Sequence, residues 1–223
     1  MNTDMDIVRL LGAAQLTVFV AAMLGRLMLT SVVGSGSISD MLVNISKNLT
    51  RMRVSNLVAL VDSIGIVVLG VLFYIVFNRQ YEIIALVALG FFLAEATTLA
   101  VSKIGAFALI PLSQEFVEAG APEPSYFQTL GDFFYYGVDR QGDRIHNLFF
   151  CLGGILWYFL FLRSGYIPQA LPIWGLAAVS LLLIPVLLLL YDRDFTHPVM
   201  AVGLLYLPFE LVLGVWLIAR GLN

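Results

Sequence analysis

The chain has 223 residues, of which 60% are hydrophobic and 12% charged, with a formal net charge of −3. Soluble domains carry about 25% charged residues, so this composition excludes an ordinary soluble core and favours a protein whose outer surface lies in lipid. The net negative charge, without a run of lysines or arginines, argues against a nucleic-acid partner. The single cysteine, Cys151, excludes an internal disulfide.

Six apolar segments have the length of a membrane-spanning helix, which is about 20 residues. They are 7–33, 54–77, 83–110, 145–162, 172–191 and 198–219. The runs are unbroken, whereas the strands of a membrane barrel would alternate over about 10 residues. The sequence therefore predicts an all-α fold, a polytopic transmembrane helix bundle, with 1–223 as a single domain. We expect the first segment to be a retained span, because it is longer than the apolar part of a signal peptide.

Polar connections separate these segments at 34–50, 78–80, 114–143, 163–171 and 192–197. The first is interpreted as a loop, and Pro111 is expected to end the third helix. The segment 114–143 contains the aromatic patch Phe133–Tyr136, which suits a short helix at the membrane interface on the outer side. The aromatic residues Trp157, Tyr158 and Trp174 are interpreted as part of the interfacial belt.

Orientation is inferred from basic residues at the ends of short connections. One side carries Arg9, Arg79, Arg163 and Arg220, and the other carries Lys47, Arg51, Arg53, Arg140, Arg144 and Arg193. The counts do not separate the two sides. An even number of spans and the tight arginine-marked turns favour both termini in the cytoplasm, with the longer acidic connections facing outward.

Several stretches carry a family resemblance. They are Arg51–Leu72, the turn Asn78–Gln80, the segment Phe161–Pro168 with its Ser-Gly-Tyr-Ile-Pro turn, and the ending from Pro208 through Glu210 to Gly221. In these the chain resembles a bacterial family of six-span integral membrane proteins that is catalogued only as a domain of unknown function. Many relatives have a basic residue after the proline of that turn, where this chain has Gln169. The resemblance implies six spans in the bacterial plasma (inner) membrane and implies no activity.

Ionisable residues inside the apolar segments are the main candidates for a functional site, because each costs at least about 2.5 kcal/mol at mid-membrane. The rise of about 1.5 Å per helical residue places three carboxylates near mid-membrane. We predict one buried polar cluster made of Arg26, Asp62, Glu95, Tyr206 and Glu210. Lys103, His146 and Asn147 are predicted to lie on its outer side.

The same residues have structural interpretations. Arg26 would fix the helix register by pairing with Asp62 or Glu95, and Lys103 would extend its ammonium to the outer interface. Asn147 would form a hydrogen bond between helices.

A metal or haem site is a minor alternative. His146 and His197 are the only histidines in the chain, and they are not spaced as a ligand pair. No cofactor is indicated.

Three functions remain open. The first is ligand binding or transport, in which the carboxylates carry protons or bind a cation, including an amphipathic one, and Arg26 keeps one of them ionised. The second is an intramembrane enzyme acting on a lipid or apolar substrate, with His146 or a carboxylate as general acid or base. Against the enzyme hypothesis, the sequence shows no nucleophile–base pair and no HExxH motif. The third is a structural subunit that docks through 114–143. Ligand binding or transport is preferred. The expected partners are membrane lipids and a small apolar or cationic ligand, and a homo-oligomer is compatible with the sequence.

Overall fold

The computed structural model describes residues 3–192 and 199–222. Seven α-helices and one π-helical segment make up this part of the chain, and no β-strand occurs in it. They are α1 (Thr3–Val33), α2 (Ile38–Lys47), α3 (Leu49–Glu118), α4 (Tyr126–Asp132), the π segment (Phe133–Arg140), α5 (Gln141–Ser164), α6 (Ala170–Tyr191) and α7 (Val199–Ala219). The all-α prediction is confirmed.

Four helical stretches of the described chain are long and apolar enough to cross a membrane. They are Asp6–Val33, Leu49–Glu118, Tyr126–Ser164 and Ala170–Tyr191, and a shorter apolar helix covers Gly203–Ala219. At about 1.5 Å per residue, the 70 residues of α3 exceed the thickness of a bilayer core, which is about 30 Å. Tyr81 interrupts α3 with φ −139° and ψ 45°, one residue after the predicted turn at 78–80. The count of six spans stays a prediction.

Two local predictions are wrong. The segment 34–50 is not a continuous loop, because α2 forms within it. Ser37 and Asp40 form a capping box in which the Asp40 backbone N–H donates to the Ser37 hydroxyl oxygen at 3.2 Å and the Ser37 N–H donates to the carboxylate at 2.9 Å. The hydroxyl of Ser37 also donates to this carboxylate, and these hydrogen bonds hold the pKa of Asp40 below its ordinary value. Pro111 does not end α3, which continues to Glu118.

The described chain divides into two compact units. Unit 1 comprises Met1–Phe19, Ile64–Ala96 and Arg144–Asn223, and unit 2 comprises Val20–Ser63 and Thr97–Asp143. In unit 2, the apolar face of α2 is buried in a core that includes Leu42, Ile45 and Phe116. Within this unit, Gln128 of α4 donates a hydrogen bond to Ser39 at 3.0 Å. The aromatic patch lies in the π segment, with Tyr135 buried in the core and Tyr136 exposed.

The core of unit 1 is aromatic. Trp157 is fully buried and stacks on Phe73 with a ring-centroid distance of 5.0 Å. Phe92 meets the same indole edge-on at 5.9 Å, and Phe77 packs edge-on against Phe161 at 4.9 Å. Trp157 and Tyr158 are therefore interior residues of this unit, and their assignment to an exposed interfacial belt is wrong.

Two glycines allow α1 and α7 to approach closely in unit 1. A Cβ at Gly12 would lie 2.8 Å from the carbonyl oxygen of Gly214 and 2.8 Å from Ile218 Cγ1. Because the first contact is backbone, Gly12→Ala is expected to lower the free energy of unfolding by about 1–3 kcal/mol. Gly90→Ala is the matched control, since apart from its chain neighbours and the nearby backbone of its own helix, no heavy atom of the described chain lies within 4 Å of its added Cβ. Thermal unfolding in detergent compares the two variants, and equal Tm values would contradict the expected close approach.

Candidate functional site

Unit 1 contains a small cavity with two carboxylic acids in its wall. Its volume is about 20 Å³. The polar residues that line it are Gln15, Glu95, Trp157, Tyr158, Tyr206 and Glu210, and the remaining lining residues are Val18, Ile66, Leu69, Phe73, Phe92 and Phe150. A cavity of about 10–15 Å³ or more can hold one water molecule. This one therefore has room for a single water or a small ion.

Glu210 is held by neutral hydrogen-bond donors. Gln15 Nε2 donates to Glu210 Oε1 at 3.1 Å, and the hydroxyl of Tyr206 donates to the same oxygen at 3.3 Å. Tyr206 and Glu210 share one face of α7 because they are four residues apart. The hydroxyls of Tyr158 and Tyr206 are also hydrogen-bonded. Since Tyr206 uses its only proton towards Glu210, Tyr158 is the donor to Tyr206 in this arrangement.

Glu95 lies in the same cavity wall with 3% of its surface exposed. His146 is half-buried, and its Nδ1 lies 3.3 Å from the backbone carbonyl oxygen of Glu95, to which it donates in the tautomer protonated at that nitrogen. The predicted outer-side residue His146 therefore contacts the segment that carries Glu95. Asn147 follows it on α5 and is also half-buried.

Unit 2 contains a buried ion pair that the sequence did not indicate. Lys103 Nζ lies 2.7 Å from Asp139 Oδ1, and the two side chains are 7% and 1% exposed. The expected extension of Lys103 to the membrane interface is therefore wrong. Asp139 comes from the π segment, in which the backbone hydrogen bonds run from residue i to i+5 and so span one residue more than in an α-helix.

Asp62 is also buried in unit 2, with 5% of its surface exposed. Its Oδ1 has no hydrogen-bond partner among the described residues. Arg26 belongs to the same unit, but its side chain is exposed, so its prediction as a buried cluster member is wrong. Of the five predicted cluster residues, Glu95, Tyr206 and Glu210 share one cavity in unit 1, and Asp62 lies in unit 2.

His197, the second metal candidate, and Arg193 lie outside the described residues, as does most of the connection 192–197. In the part of the chain that the structure describes, no group of three His, Cys, Asp or Glu side chains is arranged to hold a metal ion.

Three residues of these sites were not predicted. Gln15 is an uncharged polar residue in an apolar segment, and it would have been selected if polar residues of these segments had been considered together with the ionisable ones. Tyr158 was assigned to the belt from its position near a segment end. Asp139 carried no usable signal, because its pairing with Lys103 depends on the π-helical register.

The helices have the length and apolar composition of membrane spans, and they bury ionisable side chains in both units. These features define an apolar helical protein of the membrane type. The chain belongs to the family described as a domain of unknown function, DUF4386, whose model matches residues 10–221. This match confirms the family resemblance seen in the sequence. Comparison with curated proteins and with solved structures finds no match.

Proposed function

We propose that this protein is a membrane transport protein that carries protons, and that the cavity of unit 1 binds the proton. The observation that supports this proposal is the placement of Glu210, which accepts hydrogen bonds from Gln15 and Tyr206 beside Glu95 in one cavity. Ionisable groups inside a membrane protein commonly mark proton or ion pathways. Two carboxylic acids that face a shared water-sized space are suited to take up and release one positive charge.

The tyrosines provide a route for that proton. A tyrosine hydroxyl both donates and accepts a hydrogen bond. When Tyr158 takes up an incoming proton, it can pass its own proton to Tyr206, and Tyr206 can pass its proton to Glu210. The Gln15 amide keeps the carboxylate of Glu210 oriented without supplying a titratable group. In this proposal Glu210 is the proton acceptor and Tyr206 is its immediate donor.

The cavity volume separates the proposal from its alternatives. Pockets for drug-sized ligands occupy about 300–1,000 Å³, more than tenfold the cavity of about 20 Å³. An amphipathic cation or a lipid chain does not fit this space. The volume therefore favours a proton, a water or a small inorganic cation over the larger ligand and over an enzyme acting on lipid at this position.

The proposed setting is the bacterial inner membrane, with both termini in the cytoplasm. Large apolar side chains are exposed along α3, including Ile83 at 80% and Ile104 at 64%. Exposed apolar surface of this kind is unfavourable in water and is expected to contact lipid acyl chains. The arginine-marked turns support the orientation.

Glu210→Gln is expected to slow proton flux by about tenfold or more, because the amide keeps the shape of the side chain but cannot take up a proton. The measurement uses the purified protein in liposomes containing a pH-sensitive dye, with a potassium diffusion potential as driving force. Tyr206→Phe is expected to slow the flux as well, since it removes the donor to Glu210.

Glu82→Gln is the matched control, because Glu82 is an exposed carboxylate of the same unit. Its flux should equal that of the wild type. The proposal would be refuted if Glu210→Gln carried protons at the wild-type rate. It would also be refuted if liposomes containing the wild-type protein were no more permeable to protons than empty liposomes. In the second case the docking-subunit alternative would become the preferred one.

A further inference from the structure

One hydrogen-bond donor in the wall of the unit 1 cavity lacks a protein acceptor. Trp157 lines the cavity and is fully buried, and its indole Nε1 has no hydrogen-bond partner among the described residues. Its ring stacks on Phe73 at 5.0 Å, and Phe92 meets it edge-on at 5.9 Å. A phenylalanine ring accepts an N–H only weakly. Because nearly all buried polar groups in folded proteins have a hydrogen-bond partner, the acceptor for this N–H is expected in the cavity.

The cavity has the size and the polar groups that one water molecule requires. Its volume of about 20 Å³ exceeds the about 10–15 Å³ that a single water needs. A buried water typically makes about three hydrogen bonds. Trp157 can donate one to its oxygen, and the carboxyl groups of Glu95 and Glu210, which lie in the same wall, can accept the other two. A water at this place therefore supplies the acceptor that the indole N–H requires.

The same wall is poorly suited to a metal cation. Hard cations such as Mg²⁺ and Ca²⁺ are bound by about six to eight oxygen atoms, whereas an indole N–H is only a donor and presents its positive end to the cavity. Besides the two carboxyl groups, the side-chain oxygens of the wall belong to Gln15, Tyr158 and Tyr206. The Gln15 amide and the Tyr206 hydroxyl are donors to Glu210 Oε1. A water fits this mixture of donors and acceptors better than a cation does.

We propose that the indole N–H of Trp157 binds one water molecule in the cavity, and that this water carries the proton between Glu210 and Glu95. The water accepts the proton of the Glu210 carboxylic acid on its oxygen while it gives one of its own hydrogens to the Glu95 carboxylate. Glu210 becomes the anion, Glu95 becomes the acid, and a water molecule remains. Trp157 is then a positioning residue for the water. The relay rests on the proposed transport function, whereas the binding of the water does not.

A crystal structure grown from a lipid mesophase in rubidium chloride, at a resolution that shows ordered waters, tests the binding of the water. One density peak is expected in the cavity, about 2.7–3.2 Å from Trp157 Nε1 and within hydrogen-bond distance of a carboxyl oxygen of Glu95 or Glu210. The peak should show no anomalous scattering from rubidium. An anomalous peak would identify a metal cation, and the absence of a peak at Nε1 would leave the indole to the ring of Phe92. Either result would overturn the inference.

Replacement of Trp157 by benzothienylalanine tests the relay, because this side chain keeps both fused rings and has sulfur in place of the N–H. Proton flux in liposomes is expected to fall by about tenfold or more, and the density peak in the cavity is expected to be lost. The same replacement at Trp174 is the matched control. The Trp174 indole donates to the Leu205 carbonyl and does not line the cavity, so both readouts should stay at their wild-type values.

The outcomes separate this inference from the proposed function. A folded benzothienylalanine variant with wild-type flux would overturn the relay even if Glu210→Gln is slow. Sodium chloride outside the liposomes should give the same wild-type proton flux as choline chloride, and a slower flux in sodium would show that a cation competes for the site. If wild-type liposomes carry no protons, the proposed function and the relay fail together, while the crystal structure still decides whether the water is bound.

Discussion

Lys103→Met is expected to lower the free energy of unfolding by about 3–5 kcal/mol, the usual result of removing one partner of a buried ion pair. Asp139 is 1% exposed and loses its ammonium partner at 2.7 Å. It must then either remain as a buried anion or take up a proton at neutral pH, and both are unfavourable. The measurement is unfolding in mixed micelles of dodecyl maltoside and dodecyl sulfate, followed by helical circular dichroism.

Two further variants make this result specific. Lys47→Met removes an exposed lysine of the same unit and should change the stability by less than about 0.5 kcal/mol. Lys103→Met combined with Asp139→Leu should recover most of the loss, because replacing a whole buried ion pair with apolar residues is often neutral or stabilising. If the double variant is as unstable as Lys103→Met alone, the loss comes from packing of the lysine stem and not from the unpaired carboxylate.

Trp157→Ala is expected to give the second large effect, a destabilisation at the lower end of about 3–5 kcal/mol. Trp157 is fully buried and stacks on Phe73 at 5.0 Å and on Phe77 at 6.1 Å. In a membrane protein the apolar transfer term is small, because lipid is as apolar as the core, so the loss comes from van der Waals contacts and the cavity left behind.

Trp157→Phe keeps a ring in this position and should lose about 1–2 kcal/mol less than the alanine variant. Trp174→Ala is a useful comparison, because Trp174 is half-buried, packs against Phe209 and donates to the Leu205 carbonyl at 3.2 Å. The same micelle titration measures all three. A Trp157→Ala variant that unfolds no earlier than Trp174→Ala would show that the aromatic core of unit 1 is not tightly packed.

The helical class was predictable because it follows from the lipid that surrounds the chain. Long apolar runs satisfy their own backbone groups only as helices, and neither Gly90 nor Pro111 interrupts that pattern enough to end α3. The amphipathic helix α2 was not predicted, although the Ser37–Asp40 capping box at its start is a helix N-terminal signal in the sequence. A short polar segment between two long apolar ones has the composition of a loop, and composition alone does not contain the helical spacing of Met41, Leu42 and Ile45.

The candidate sites were predictable only as a list of residues. The cost of a buried charge identifies Asp62, Glu95 and Glu210 from their depth. It does not say which helix faces meet, so it gave neither Gln15 as the partner of Glu210 nor the exposure of Arg26. Pairings between residues 195 positions apart in the chain, as for Gln15 and Glu210, arise from helix packing alone.

The π segment makes the Lys103–Asp139 ion pair depend on the length of the chain as well as on its composition. A π-helical turn holds one residue more than an α-helix does between the same two points, because its hydrogen bonds run from residue i to i+5. If the same residues formed a regular α-helix, Asp139 would rotate by about 100° around the helix axis relative to Phe133, away from Lys103. Removing a single residue between Phe133 and Asp139 would instead restore α-helical hydrogen bonds and leave Asp139 on nearly the same face. Whether the pair forms therefore depends on the number of residues in this stretch together with its hydrogen-bond register.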